Sequence, residues 1–174
     1  MIALKLIALL CLGAIFYFDL RFRAVYWIIF PILSISFALM KKMQSGTYIT
    51  LVDAGYDLVF LSVQLFFLWV YFSLKDKSCY NIVNRKLGLG DILFLVSIVF
   101  YLSPLNYIGF YITSLILTLC YVAGLNLLKK NVIQIPLAGL QAICLAILLI
   151  TEWCFTHFSL YQDVWAYNTL LATS

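Results

Sequence analysis

Charge is scarce in this chain: 10% of its 174 residues are charged, against 66% hydrophobic. A soluble domain runs nearer a quarter charged and half apolar, so a water-facing globule is excluded and the surplus apolar surface has to meet lipid. Histidine is nearly missing. His157 stands alone, with no His or Cys pattern beside it that could make a ligand set. The five cysteines (Cys11, Cys79, Cys120, Cys144 and Cys154) show no C-x-x-C spacing, which argues against a metal or disulfide role. All but Cys79 lie in apolar stretches, where a thiol behaves as a small hydrophobe. No metal or cofactor is expected. Eleven Lys and Arg against seven Asp and Glu leave a modest excess of positive charge. No basic run accompanies a soluble module, so the excess suits loops on a cytoplasmic face better than nucleic acid.

What is present is apolar run after apolar run. Crossing a bilayer takes about 20 apolar residues as helix, with about 17 as the lower limit. On that measure six spans are expected, over about 2–18, 24–40, 54–74, 91–103, 106–128 and 133–151. Residues 92–128 carry no charge at all and are too long for one crossing. Ser103-Pro104-Leu105-Asn106 is the natural break, since proline disfavours helix in the residue before it and asparagine suits a turn. Pro31 sits inside an apolar run and is expected to kink its helix. No small-x-small cleavage site follows the first apolar stretch, which ends Phe16-Tyr17-Phe18-Asp19, so a retained helix is expected rather than a signal peptide. The expected fold is all-α: a polytopic membrane protein, one transmembrane domain over 1–174.

Orientation follows from basic residues in the short loops. One set of loops holds Arg21, Arg23, Lys75, Lys77, Arg85, Lys86, Lys129 and Lys130; the other side holds Lys5, Lys41 and Lys42. The richer set is expected to face the cytoplasm, with both termini outside. Asp19, closing the first span, and Asp91, opening the fourth, then arrive at the same membrane face. They can meet.

Acids at membrane depth are costly and usually functional. Taken singly, Asp91 could be a helix N-cap favoured by the dipole, and Asp19 an interfacial charge paired with Arg21 or Arg23. An N-cap alone would not call for Gly88 and Gly90, which permit positive φ or close approach of another chain. Asp53 and Asp57, four apart, share one face at the outer end of the third span. They read as a cation site or second acid pair, or as negative charge at a helix start with Asp57 turned inward. Gln64 suits interhelical hydrogen bonding. Glu152 and Asp163 are expected to be solvated at the outer side, and Asp76 to pair weakly with Lys75 or Lys77 in a loop. Fourteen Phe, twelve Tyr and four Trp suit interface belts and lipid-facing surfaces.

Three segments, in order, carry a family likeness. Asp19-Leu20-Arg21-Phe22-Arg23 is an acid followed by a short basic stretch; Lys86-Leu87-Gly88-Leu89-Gly90-Asp91 is a GxGD sequence opening a helix; Ile135-Pro136-Leu137-Ala138-Gly139-Leu140-Gln141-Ala142 opens the last helix. Together they resemble the type IV prepilin peptidase family of GxGD intramembrane aspartyl proteases, and the resemblance covers essentially the whole chain. It implies an aspartic endopeptidase of the bacterial inner membrane, with Asp19 and Asp91 catalytic, and Lys86, Gly88 and Gly90 in the loop that meets substrate. The implied substrate is a prepilin-like protein, of a type IV pilus or a related secretion system, cut between its basic leader and its apolar helix at the cytoplasmic face.

The chain departs from the family pattern in places. Its first span starts at residue 2 and it lacks C-x-x-C, so the form without the methyltransferase domain is expected. Asp91-Ile92-Leu93-Phe94 has no lysine after the acid, and Leu137 replaces the usual phenylalanine. Arg21, Arg23 and Lys86 oppose the attraction of a basic leader to the acids. Two other readings are open: a small ion or solute transporter using the intramembrane aspartates, and a non-catalytic homologue that binds pilin-like helices.

Overall fold

The structure, a computed structural model, describes residues 1–76, 88–127, 137–154 and 159–163. Its elements among these are six helices: α1 (Ile2–Phe22), α2 (Ile29–Ser45), α3 (Thr47–Asp76), α4 (Leu89–Ile98), α5 (Pro104–Leu127) and α6 (Leu137–Cys154). Four of them, α1, α3, α5 and α6, are long and apolar enough to cross a membrane. For the other two the expected crossing is not confirmed. α2 has 17 residues and carries Lys41-Lys42 near its end, while α4 has 10 residues, or about 15 Å of helix, half of a hydrocarbon core.

Several boundaries move, each for a local reason. α1 runs past Asp19 to Phe22, so the acid lies inside the last turn rather than after it. Arg23 then takes a left-handed conformation, φ 52°, and its N–H donates to the Asp19 carbonyl at 3.1 Å, closing the helix. α2 starts only at Ile29, which places Pro31 in its first turn. There the missing N–H costs nothing, so Pro31 starts a helix instead of kinking one. The break at 103–106 is where it was expected. Tyr107 N–H donates to the Ser103 carbonyl, and the Asn106 amide donates to Ser103 Oγ at 2.8 Å.

The helices pack through a core of Leu12, Ile15, Phe30, Leu33, Phe37, Phe94, Ile98, Tyr101, Tyr107 and Leu145, among others. α1 lies chiefly against α6 and α2, and α4 lies between α2 and α6. The buried residues of α1 are Ala8, Leu12 and Ile15. Their spacing of four and three continues to Asp19, so the acid ends a stripe facing the bundle interior. On α4, Asp91 precedes buried Phe94 and Ile98 at the same spacing. Gln64 of α3 faces Tyr111 of α5, between helices as expected.

Candidate functional site

Asp19 and Asp91 meet at the start of α6. The Gly139 N–H donates to Asp19 Oδ2 at 2.6 Å, and the neighbouring Ala138 N–H donates to Asp91 Oδ1 at 2.8 Å. These amides belong to the first turn of a helix, where N–H groups have no intrahelical acceptor and the dipole favours negative charge. Because the two amides are consecutive, backbone dimensions hold the accepting oxygens within about 9 Å of each other. The acids are close enough to act on each other electrostatically. Three chain ends thus converge at one end of the bundle: the last turn of α1 and the first turns of α4 and α6.

Two glycines make this approach possible, and only one belongs to the GxGD sequence. At Gly88 a Cβ would stand 2.9 Å from Asp91 Oδ2; at Gly139 it would stand 3.0 Å from Asp19 Oδ2 and 3.1 Å from Asp19 Cβ. At Gly90 the nearest atom would be Phe30 Cζ at an ordinary 4.0 Å. Gly88 has φ −68° and Gly46 is the glycine with positive φ among the described residues, so close approach, not left-handed backbone, is what Gly88 provides. Gly90 sits within α4 with neither requirement. Lys86, Ile135 and Pro136 lie outside the described residues. So do Lys77, Arg85, Lys129 and Lys130, on which the expected orientation leans.

Neither arginine beside Asp19 neutralises it. Arg21 donates to the Tyr17 hydroxyl at 3.0 Å and lies over the Tyr17 and Phe22 rings, within an aromatic group that also includes half-buried Phe18 and exposed Tyr26. That group suits a membrane–water boundary.

Four further acids, Asp53, Asp57, Glu152 and Asp163, gather at the opposite end, where α2 and α6 finish and α3 and α5 begin. Lys41, fully buried, pairs with Asp53 at 2.8 Å and donates to the Leu102 carbonyl at 2.6 Å. Asp53 and Asp57 lie beyond the first turn of α3, so the helix-start account fails for both. Asp57 does face inward. It is 1% exposed, and neither of its oxygens has a hydrogen-bond partner among the described residues. Glu152 and Asp163, expected to be solvated, are engaged. Glu152 is 8% exposed and accepts from the Tyr101 hydroxyl at 2.5 Å and the Leu160 N–H at 3.2 Å. Asp163 accepts from the Ser103 hydroxyl. Among the described residues, no group of three or more His, Cys, Asp or Glu is placed to hold a metal ion.

Comparison with known proteins decides no family. No family model, curated protein or solved structure matches the chain. What bears on function is therefore the arrangement itself: two acids from distant parts of the sequence, 72 positions apart by their numbers, converging on one helix start inside an apolar bundle.

Proposed function

We propose that this chain is a membrane-embedded aspartyl endopeptidase that removes basic leader peptides from prepilin-like substrates at the cytoplasmic face of a bacterial inner membrane. The reading is carried by the hydrogen bonds of Asp19 and Asp91 to consecutive amides of α6. Paired carboxyls in a poorly solvated place cannot both ionise cheaply, so they share a proton. The ionised member can take a proton from water as that water attacks the scissile carbonyl. The protonated member polarises the carbonyl and then assists the leaving amine. No covalent intermediate is needed. Asp19 spends one oxygen on α6 in the contacts described and keeps the other for water or substrate, while Asp91 is held by the Gly88 backbone as well as by α6. The pair titrates as a unit, and the two roles are not divided between its members.

The test is cleavage of a pilin-like substrate, bearing a basic leader before an apolar helix, by the purified protein in liposomes. Asp19→Asn and Asp91→Asn should each abolish cleavage while insertion and elution in detergent stay as in the wild type. Near wild-type cleavage by either variant removes that acid from catalysis, and with it the mechanism.

A second reading, transport of a small ion or solute, is favoured by one observation: Asp57 is buried in the bundle and its oxygens have no hydrogen-bond partner among the described residues. It requires ion flux in liposomes that disappears with Asp57→Asn or Asp53→Asn, and no proteolysis. A protein that shows neither cleavage nor flux, yet retains a pilin-like helix, would be the non-catalytic homologue.

A further inference from the structure

We infer that the first turn of α6 is a charge-holding cradle for the acid pair, with Gly139 as the positioning residue that lets Asp19 enter it. For its catalytic consequence the inference rests on the protease reading; its electrostatic content does not.

The argument begins with what the carboxylates lack. Asp19 lies three residues from the end of α1, where the helix dipole presents its negative pole and opposes a negative charge. Arg21 is engaged with Tyr17 and Phe22, and among the described residues no cation forms an ion pair with Asp19. Asp91 is better served by its own helix, in whose first turn it lies. Both acids nonetheless occupy a bundle with few polar partners, and a pair confined there needs donors to keep even one negative charge. The Gly139 and Ala138 amides supply them, at 2.6 and 2.8 Å, with the α6 dipole behind them. An amide bonded to a carboxylate favours its ionised form.

Sterics single out position 139. A methyl group there would press on Asp19 Oδ2 and Cβ at 3.0 and 3.1 Å, closer than carbon and its neighbours ordinarily sit. The amide itself would remain, but the carboxylate could no longer reach it on the same path. A side chain at 139 therefore pushes the Asp19 carboxyl back from the amide by a few tenths of an ångström. Position 139 needs no unusual backbone angle, since its φ is not in the positive range.

The experiment reads the charge of each acid directly. A hydrophobic carbodiimide reacts with protonated carboxyls, and peptide mass spectrometry resolves modification at Asp19 from that at Asp91. In Gly139→Ala, modification of Asp19 at neutral pH should rise about tenfold, and its pH dependence should move to higher pH, as expected when a donor to the ionised form is lost. Ala138→Pro deletes the amide that serves Asp91 at a first-turn position where proline is tolerated, and should raise modification of Asp91 instead. Gly124→Ala, with open space around the added methyl, should change neither. With substrate, Gly139→Ala should lower kcat about tenfold or more at nearly constant KM and shift the acidic limb of the rate profile to higher pH. Unchanged Asp19 modification in Gly139→Ala, in a protein that elutes and melts like the wild type, overturns the cradle. A wild-type protein that cuts nothing while the modification shifts as stated refutes the protease reading and leaves the cradle standing.

Discussion

Lys41 and Asp53 form an ion pair at 2.8 Å in which the lysine is fully buried and the aspartate partly so. The pair joins the end of α2 to α3, and the same ammonium also donates to the Leu102 carbonyl beyond α4, so one side chain ties three segments together.

Removing one partner of such a pair strands the other. Lys41→Met should destabilise the protein by about 3 kcal/mol, because Asp53 loses its counter-charge and the Leu102 carbonyl loses its donor. The double variant Lys41→Met/Asp53→Asn should recover part of that loss, since the uncompensated charge is gone. Thermal unfolding in detergent distinguishes the outcomes, and strict additivity of the two substitutions would show that the pair is not coupled.

The two glycines of the GxGD sequence should behave differently. Gly88→Ala drives a methyl to 2.9 Å from Asp91 Oδ2 and should cut the rate of substrate cleavage roughly tenfold to a hundredfold by displacing the acid. Gly90→Ala meets only Phe30 Cζ at 4.0 Å, within a helix that gains from alanine. Its cleavage rate should stay within about twofold of wild type, and its melting temperature should not fall. Equal losses at both positions would contradict the geometry.

How far the sequence could be read differs between the two ends of the bundle. The convergence of Asp19 and Asp91 was legible because acids are rare in apolar helices and each sat at a helix edge, so topology alone brought them together. The part played by Gly139 was not legible. α1 is apolar on every side, and no stripe in its sequence shows which face Asp19 shares with α6; that emerges only from the packing of Ala8, Leu12 and Ile15. At the other end, Glu152 and Asp163 were read as solvated because they follow the last apolar run. Residues 159–163 return to the start of α5, where Ser103 N–H donates to the Leu160 carbonyl, and this long-range contact encloses both acids. Six apolar runs did yield six helices among the described residues. Run position misplaced α2, which is as long as expected but starts five residues later, and run length overstated α4, because turns at 24–28 and 99–103 are apolar too.

The Tyr101 hydroxyl is the measure of that enclosure. It donates to Glu152 at 2.5 Å while its ring stacks on Phe37 with centroids 5.1 Å apart. Tyr101→Phe keeps the stack and deletes the donor, leaving a buried carboxylate with the Leu160 N–H as its remaining partner among those described. The expected loss is about 2 kcal/mol in thermal or denaturant unfolding, with cleavage at the opposite end of the bundle unaffected. Tyr101→Phe/Glu152→Gln should be milder than the single variant, because a neutral amide is less costly to leave short of one hydrogen bond. A solvated Glu152 would instead make both substitutions silent.

Asp57 supplies the sharpest contrast with Asp53, four residues away on the same helix. Asp53 has Lys41; Asp57 is more deeply buried and has no hydrogen-bond partner among the described residues. An unpartnered carboxyl in an apolar bundle is a cost to the fold, whichever protonation state it adopts. Asp57→Leu, close in shape and without polar atoms, should therefore leave the melting temperature unchanged or raise it, by an amount equivalent to about 1–3 kcal/mol. Asp53→Leu should do the opposite by stranding Lys41. If Asp57→Leu is as damaging as Asp53→Leu, Asp57 has a partner that stabilises the fold, and the transport reading gains the bound ion it requires. If Asp57→Leu is stabilising and cleavage persists, Asp57 plays no part in the reaction proposed for Asp19 and Asp91.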